Sequence, residues 1–258
     1  MVQFDVQGLS DPQAPTIILS SGLGGSALYW APQMDWLKMR FRVVTYDHFG
    51  TNRSPGEVPQ GYSISDMADD VLVIAQTLAL HSFSFIGHAL GGLIGLDIAL
   101  RFPDTIENLI LVNGWAKADP HSGRCFDVRI ELLEKCGVAA FVKAQPLFLY
   151  PASYMADNAG QMAAEEAHAV AHFQGKVNVL RRIAALRAFN VEKQLGEVRS
   201  RCLVIATRDD LLVPYGRSMQ LSQKLPNAEL CLLDHGAHAI NVTMPELFNA
   251  CVERFLVP

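Results

Sequence analysis

The chain has 258 residues, half of them hydrophobic and 18% charged, so it can bury a large core as one large α/β domain or two small ones. Its formal net charge of −5 argues against nucleic acid or an anionic membrane as a partner. It shows no signal-peptide pattern, no apolar stretch near the roughly 18 residues of a spanning helix, and five scattered cysteines without a CxxC pair, which predicts a cytoplasmic protein with reduced thiols.

Short apolar strands alternate with helical patterns in the first part of the chain. The predicted strands are residues 16–20, 41–46, 83–86 and 109–112. Apolar residues recur at helical spacing over 65–80, with Ser65 as the expected N-cap, and a second helix is expected over 93–101. Strands that are apolar on both faces and alternate with helices predict an α/β fold with a mostly parallel sheet, covered by helices on both sides.

A glycine-rich loop over residues 21–26 follows the first predicted strand. The dinucleotide fingerprint GxGxxG and the lysine of a phosphate-binding P-loop are both absent from it. We therefore interpret it as a loop that turns backbone N–H groups toward a ligand oxygen. No other spacing indicates a metal or cofactor site, and the sequence predicts neither.

The alternation of strands and helices stops after residue 115. Residues 116–195 show helical patterns only, with Pro146 and Pro151 expected to break them, which indicates a helical lid inserted between two sheet strands. The strand pattern returns at 202–206 and 229–233. The predicted organisation is a core of residues 1–115 and 196–258 with a lid of residues 116–195.

Residues 83–92 have the layout of a nucleophile elbow, in which a strand runs through Gly-x-Ser-x-Gly into a helix. Gly87 and Gly91 allow the close approach of backbone that this turn needs. Ala89 stands where the serine is expected, so the elbow lacks its nucleophile. We expect His88, which precedes it, to have a structural role.

Two further predicted strands are followed by acidic or histidine side chains that can act in acid–base catalysis. Asp209 and Asp210 follow one of them, and His238 follows the last. Ligands of open α/β sheets bind at the carboxyl ends of the strands, and elbow, acid and histidine is the chain order of α/β-hydrolases. Asp210 is favoured over Asp209 because it lies four residues before Pro214.

These motifs resemble the α/β-hydrolase superfamily over nearly the whole chain. Within it, the segment Gly-His-Ala-Leu-Gly resembles the RutD family, the hydrolase-like members of a bacterial pathway of pyrimidine degradation. Lid segments resemble that family too, at residues 113–115, 124–126, 144–151 and 171–176. The resemblance implies hydrolysis of carbamate, or of 3-aminoacrylate, produced by uracil breakdown.

A water molecule is the nucleophile that we expect in place of the serine, since a substrate that already hydrolyses unaided needs little help. In this hypothesis His238 is the general base, and Asp210 fixes its tautomer. The backbone N–H groups of Leu23 and Leu90 are expected to stabilise the developing oxyanion by hydrogen bonds. These donors do not depend on the side chain at Ala89, so they remain although the serine is missing.

The substrate is expected to be a small molecule bound beside Gly22, Trp115 and a lid cation. Arg124 is the first candidate for that cation, with Arg129 and Lys176 as alternatives.

Two other interpretations of the sequence remain open. One is a serine esterase whose nucleophile has been replaced by Ala89, and the other is a non-catalytic binder that keeps the hydrolase fold. A homodimer is possible under every interpretation. Retention of both Asp210 and His238 speaks against the binder, which has no need of an oriented base.

Overall fold

The computed structural model describes residues 2–256, and its core is one seven-stranded sheet. The strands are β1 (Phe4–Gly8), β2 (Thr16–Ser20), β3 (Arg42–Tyr46), β4 (Phe83–His88), β5 (Ile106–Val112), β6 (Arg201–Thr207) and β7 (Ala228–Leu233). Their order across the sheet is β1-β3-β2-β4-β5-β6-β7, and β1 alone among them is antiparallel to its neighbour. The predicted α/β fold with a mostly parallel sheet is confirmed.

The edge strand β1 has no counterpart among the predicted strands. It is half-buried at Phe4 and Asp5 and exposed from Val6 onward, so it lacks the continuous apolar run that reveals a buried strand. β2, by contrast, is buried along its whole length and coincides with the predicted residues 16–20.

The two faces of the sheet are packed by different helices. On one face Ile18 and Phe85 pack in a cluster with Val71 and Leu93. On the other face Ile17 and Ile86 share a second cluster with residues of the first and last helices, Leu37, Phe248 and Val252. Successive strand residues point to opposite faces, so the all-apolar strands are explained by a sheet covered on both sides.

The core helices are α1 (Ala31–Lys38), α2 (Ile64–Thr77) and α3 (Leu90–Arg101) before the lid, and α9 (Tyr215–Lys224), α10 (Ile240–Thr243) and α11 (Pro245–Leu256) after it. Of these, α2 and α3 lie close to the helices predicted over 65–80 and 93–101, whereas α1 and α10 have no predicted counterpart. The predicted cap of α2 is wrong by two residues. Ser63 is the N-cap, because its side chain accepts from the N–H of Asp66 while the Asp66 carboxylate accepts from the N–H of Ser63.

Five α-helices and one π-helical turn lie between β5 and β6, in the segment predicted as a lid. They are α4 (Pro120–Glu131), the π turn (Leu132–Cys136), α5 (Gly137–Leu149), α6 (Ala152–Asp157), α7 (Ala159–Ala171) and α8 (Lys176–Ala188). Pro151 precedes α6 as predicted, but Pro146 does not break a helix. It lies within α5, which continues because the Pro146 carbonyl accepts from the N–H of Tyr150 at 2.9 Å.

The pairing of residues at the ends of the strands fixes where the loops of the candidate active site lie. Ser20 pairs with Gly87, His88 pairs with Val112, and Val112 pairs with Ile205. The loops after β2, β4, β5 and β6 therefore leave the sheet side by side. No helix within residues 2–256 combines the length and apolar character needed to span a bilayer.

Candidate active site

The turn between β4 and α3 is a strained elbow. Ala89 has φ 47° and ψ −110°, a backbone conformation that L-residues other than glycine rarely adopt and that costs of order 1–3 kcal/mol. α3 begins at Leu90, three residues earlier than predicted, because the chain changes from strand to helix at the single residue Ala89. The chain keeps the geometry of a nucleophile elbow although it carries a methyl group in place of the hydroxyl.

Both glycines that flank the elbow are required by close backbone contacts. A Cβ on Gly87 would lie 2.4 Å from the carbonyl of Gly91, and a Cβ on Gly91 would lie 2.2 Å from the carbonyl oxygen of Ser20. Real Cβ atoms do not approach other atoms so closely. The spacing Gly-x-Ala-x-Gly is therefore set by the packing of the turn against β2.

His238 and Asp210 form a buried pair beside this edge of the sheet. Nδ1 of His238 lies 2.7 Å from Oδ2 of Asp210, and the Asp210 side chain is fully buried. The second carboxylate oxygen, Oδ1, accepts from the N–H groups of Leu212 and Val213 at 2.7 and 2.8 Å. Asp210 thus has fixed partners on both oxygens and holds the proton of His238 on Nδ1.

The other ring nitrogen of His238 is free to act. Nε2 has no hydrogen-bond partner among residues 2–256. Nδ1 of His88 has neither a partner nor access to solvent, whereas Nε2 of His238 keeps some accessible surface. A ring nitrogen with a free lone pair that solvent can reach is what a general base needs.

Besides Thr243, whose hydroxyl donates to the Gly236 carbonyl at 2.7 Å, four side chains hold the loop that carries His238. Asp209 accepts from the N–H groups of Gly236 and Ala237, while Thr207 donates its hydroxyl to the Ala237 carbonyl. The side-chain amide of Asn113 donates to the carbonyls of Ala237 and His238, at 3.2 and 2.7 Å. Nε2 of His88, the fourth, lies 2.9 Å from the His238 carbonyl oxygen, to which it donates. The imidazole of His238 is therefore oriented from its own backbone as well as by Asp210.

Asn113 holds more of this loop than any motif in the sequence suggests. It is buried, has φ 48°, and uses Oδ1 to accept from the N–H of Thr207. In the sequence, Asn113 is singled out only because residues 113–115 belong to a segment with a family resemblance. Its position directly after a buried strand, beside the elbow strand, is the signal that points to the site.

Replacement Asn113→Ala is expected to destabilise the protein by about 1–3 kcal/mol, because it leaves the buried N–H of Thr207 without a partner and removes one of the two side-chain bonds to each of the carbonyls of Ala237 and His238. Chemical denaturation followed by circular dichroism measures this. The matched control is Asn108→Ala, which removes a half-buried asparagine that bonds only to Ser84. Equal losses in the two variants would contradict the role assigned to Asn113.

His88 is neutral and fixed in one tautomer. Burial lowers its pKa well below the usual range, and the nearby His238 lowers it further. Because Nε2 donates to a carbonyl, the lone pair lies on Nδ1, close to Gly22. The structural role expected for His88 agrees with this position, since its ring packs against Tyr29 and His238 at 4.8 and 4.6 Å between ring centres.

The two predicted oxyanion donors come from the elbow and from the glycine-rich loop beside it. Leu90 is the first residue of α3, and Leu23 lies in the turn of the glycine-rich loop. Neither N–H donates to an acceptor within residues 2–256. Gly22 contacts the elbow directly, because a Cβ placed there would lie 3.7 Å from that of Ala89 and 2.9 Å from Nδ1 of His88.

Lid residues open a cavity of about 290 Å³ above the glycine-rich loop. Leu23, Tyr150 and Gln174 are among the residues that line it, and Gln174 donates to the Leu23 carbonyl at 3.4 Å. His238 and Ala89 lie outside this lining, but the cavity ends on the loop that contacts Ala89. The backbone of Ala239 is joined to the lid by a bond of 3.0 Å to the Leu149 carbonyl.

None of the three residues predicted to bind substrate, Gly22, Trp115 and Arg124, lines this cavity. Trp115 is buried in the main core cluster, with its indole N–H unpaired. Arg124 is exposed on α4. Arg129, which follows five residues later and therefore points about 140° away around the helix, does line the cavity. Lys176, the third candidate cation, lies near Glu134 at 3.8 Å, at the exposed surface.

Comparison with known proteins agrees with this geometry. A family model described as the alpha/beta hydrolase fold matches residues 15–132. A relative from Agrobacterium fabrum is 64% identical over 257 residues, covering 100% of this chain and 98% of the relative. A relative from Rhizobium rhizogenes is 66% identical over 255 residues, covering 99% and 97%. Both carry the name "Putative carbamate hydrolase RutD".

The chain belongs to the RutD family of α/β-hydrolases. Among solved structures, the enol-lactonase from Burkholderia xenovorans superposes with a TM-score of 0.89 at 28% identity, covering 100% of this chain and 96% of that one. The lid, which differs most between hydrolase families, is thus included in both the sequence match and the structural match. Among residues 2–256, no three His, Cys, Asp or Glu side chains are grouped as metal ligands would be.

Proposed function

We propose that this RutD-family protein accelerates the hydrolysis of a small, labile, amine-bearing acid, either carbamate or 3-aminoacrylate, in pyrimidine breakdown. The observation that carries the proposal is the His238–Asp210 pair, 2.7 Å apart and buried, at an elbow that has Ala89 in place of a nucleophile. The name of the close relatives supports carbamate as the substrate. Water is the attacking group.

His238 acts twice in this reaction. Nε2 takes a proton from water as the oxygen attacks the carbon that bears the amine, and the imidazolium is stabilised by Asp210. His238 then returns the proton to the leaving nitrogen. For carbamate the balance is H₂NCOO⁻ + H₂O → NH₃ + HCO₃⁻, and the bicarbonate equilibrates with carbon dioxide.

The same groups serve 3-aminoacrylate. A proton from solvent adds to the carbon next to the carboxylate, which makes the amine-bearing carbon electrophilic, and water adds to that carbon. Loss of ammonia from this adduct, with release of the hydroxyl proton to solvent, leaves the aldehyde of malonic semialdehyde, with the balance H₂N–CH=CH–COO⁻ + H₂O → OHC–CH₂–COO⁻ + NH₃. His238 removes the proton from the attacking water and returns one to the departing amine.

The absence of a serine is compatible with this task. Loss of the catalytic serine costs a serine protease about a million-fold, and the remaining advantage of roughly a thousand- to ten-thousand-fold comes from the oxyanion hole and binding. A stable ester or peptide would be left almost untouched by such a site. A substrate that already decomposes in water needs no more than this.

The strain at Ala89 supports catalysis over simple ligand binding. A binder gains nothing from holding a non-glycine residue at φ 47°. Leu90 opens α3 directly after the elbow and its N–H has no acceptor within residues 2–256, so the elbow keeps an oxyanion donor available. We therefore favour an enzyme over a hydrolase-like ligand-binding protein.

Release of ammonia from fresh carbamate, with and without the protein, tests the proposal. Ammonia is followed by a coupled assay, and decay of 3-aminoacrylate by its ultraviolet absorbance. The protein is expected to raise at least one rate above the spontaneous background, in proportion to its concentration. Rates that equal the background for both substrates would reject the proposed function.

Replacement Ala89→Ser separates this proposal from that of an inactivated esterase. The hydroxyl would occupy the place of the attacking water, so we expect the accelerated rate to fall about 10- to 100-fold, the cost of misplacing a reacting group by roughly an ångström. Hydrolysis of 4-nitrophenyl acetate is expected to stay below a kcat/KM of about 10⁴ M⁻¹s⁻¹, the low end of ordinary enzymes. Efficient turnover of that ester would favour the esterase.

A further inference from the structure

Two cysteines on the side of the sheet away from the lid have their sulfur atoms in contact. Cys231 lies in the edge strand β7, and Cys251 lies in the last helix, α11. Their Sγ atoms are 2.7 Å apart, although the two residues are 20 positions apart in the chain. Both are free thiols in this structure. The fold therefore brings together two groups that can react with each other.

The packing of α11 on the sheet holds the two sulfurs in place. Cys231 pairs with Ile205 of β6, and both residues belong to the core cluster on this face. Cys251 belongs to the same cluster, together with its helix neighbours Phe248 and Val252. One cysteine is thus fixed in a strand and the other in a helix, so the contact is set by the core and not by a loose segment.

Little movement is needed to join the sulfurs by a bond. The S–S bond of a disulfide is about 2.05 Å long, so the two Sγ atoms are only about 0.7 Å farther apart than bonded ones. A buried cysteine that serves packing alone behaves as a small apolar residue and needs no sulfur partner. The direct contact between two thiols points to chemistry between them.

Cys251 is the thiol that is better prepared to react. The hydrogen bond from Cys231 lowers the pKa of Cys251, although burial opposes this, and the guanidinium of Arg254 lowers it further. The same hydrogen bond raises the pKa of Cys231. The thiolate is the reactive form of cysteine, so Cys251 is the attacking sulfur and Cys231 resolves the product.

The pair lies just below the surface. Cys231 and Cys251 are each 7% exposed. Leu230, which precedes the first, and Ala250, which precedes the second, are exposed to solvent. A small oxidant such as hydrogen peroxide therefore has only a short path to the sulfurs.

We infer that Cys231 and Cys251 are a redox-active pair that hydrogen peroxide converts into a disulfide within the chain. The Cys251 thiolate attacks one peroxide oxygen, the O–O bond breaks, and hydroxide leaves a sulfenic acid behind. The sulfur of Cys231 then attacks the sulfenic sulfur, and its proton leaves with the hydroxyl group as water. The balance is RS⁻ + R′SH + H₂O₂ → RSSR′ + OH⁻ + H₂O, with two electrons passing from the sulfurs to the peroxide.

The disulfide would close a ring that contains the His238 loop and α10. Because the sulfurs are already in contact, the ring closes with little change in the folded protein and acts mainly by restricting the unfolded chain. For a ring of this size the melting temperature is expected to rise by about 5–10 °C. The pair is thus a staple that oxidation closes and thiols open.

Peptide mapping of the peroxide-treated, full-length protein tests the bond. Cleavage after glutamate separates the two cysteines into peptides 230–246 and 247–253, because residues 229, 246 and 253 are all glutamate. The two peptides are expected to be joined after peroxide and separate after dithiothreitol. Dithiothreitol opens disulfides and leaves methionine sulfoxide unchanged, so its reversal of the shift in melting temperature assigns that shift to the sulfurs.

Two kinds of variant separate this pair from the other thiols. Cys251→Ala is expected to abolish both the joined peptides and the rise in melting temperature, and Cys231→Ala serves the same purpose if the first variant does not fold. The matched control is Cys202→Ala, a buried cysteine of β6 whose thiol donates to the Ser200 carbonyl at 3.3 Å. Cys136→Ser removes the exposed thiol of the lid. Both controls are expected to keep the joined peptides and the full shift.

Each outcome decides the inference, and none depends on turnover or on the proposed function. Joined peptides and a raised melting temperature, both reversed by dithiothreitol, would support it. Separate peptides at a peroxide concentration that oxidises the exposed Cys136, or Cys251 joined to a cysteine other than Cys231, would overturn the pair. A joined pair whose melting temperature is unchanged or lower would overturn its role as a staple.

Discussion

Asp210→Asn is expected to lower the rate above background by about 100- to 10,000-fold, the range that general-base catalysis contributes. In the serine-protease triad the same exchange puts the imidazole in the wrong tautomer and costs about 10⁴-fold. The buried pair of Asp210 and His238 makes the same outcome expected here, for a reason that can be read from the hydrogen bonds.

The orientation of the new amide is forced. Oδ1 of Asp210 accepts from two backbone N–H groups, those of Leu212 and Val213, and an amide nitrogen cannot accept there. The asparagine oxygen must therefore take that place, which turns the NH₂ group toward Nδ1 of His238. His238 then carries its proton on Nε2, and the nitrogen that should accept a proton from water becomes a donor.

Initial rates of ammonia release measure the loss, and the melting temperature shows that the variant is folded. Asp234→Asn is the control, since Asp234 is exposed at the start of the same loop and pairs with Arg208. That control is expected to keep the full rate. An Asp210→Asn variant that is folded and fully active would show that the tautomer of His238 does not matter.

The parts of the site that sequence could predict depend on short-range spacing. The elbow is fixed by Gly87 and Gly91, whose contacts lie within the turn or with the adjacent strand, and the order of acid and histidine follows the strand order. Asp210 could be preferred to Asp209 from its distance to Pro214, and the structure pairs Asp210 with His238 while Asp209 binds the loop backbone.

The parts that sequence could not predict depend on contacts between distant segments. Asn113 donates to carbonyls that lie 124 and 125 residues later in the sequence, and no local sequence pattern predicts such a partner. Arg124 and Arg129 look equivalent in a helical segment until the direction of its buried face is known. The rotation of α4 against Phe141 and Phe148 decides that question, and it places Arg129 rather than Arg124 in the lining of the cavity.

His238→Ala is expected to remove a similar factor of about 100- to 10,000-fold, because Nε2 is the only proton acceptor that the proposed reaction uses. The variant also leaves the buried Asp210 carboxylate without its histidine, which costs stability. Its two bonds from Leu212 and Val213 remain, so Asp210 stays oriented toward the vacated volume. Rates are therefore measured well below the melting temperature of the variant.

Added imidazole makes the test of His238 specific to its chemistry. A free imidazole that enters the vacated space would meet the same oxygen of Asp210, so it is expected to restore part of the lost rate in His238→Ala and to leave the unmodified protein unaffected. His235→Ala is the matched control, because His235 is exposed on the same loop, and it is expected to keep the full rate. If the His238→Ala variant is as active as that control, the backbone donors alone account for the acceleration. The assignment of a histidine-activated water is then wrong.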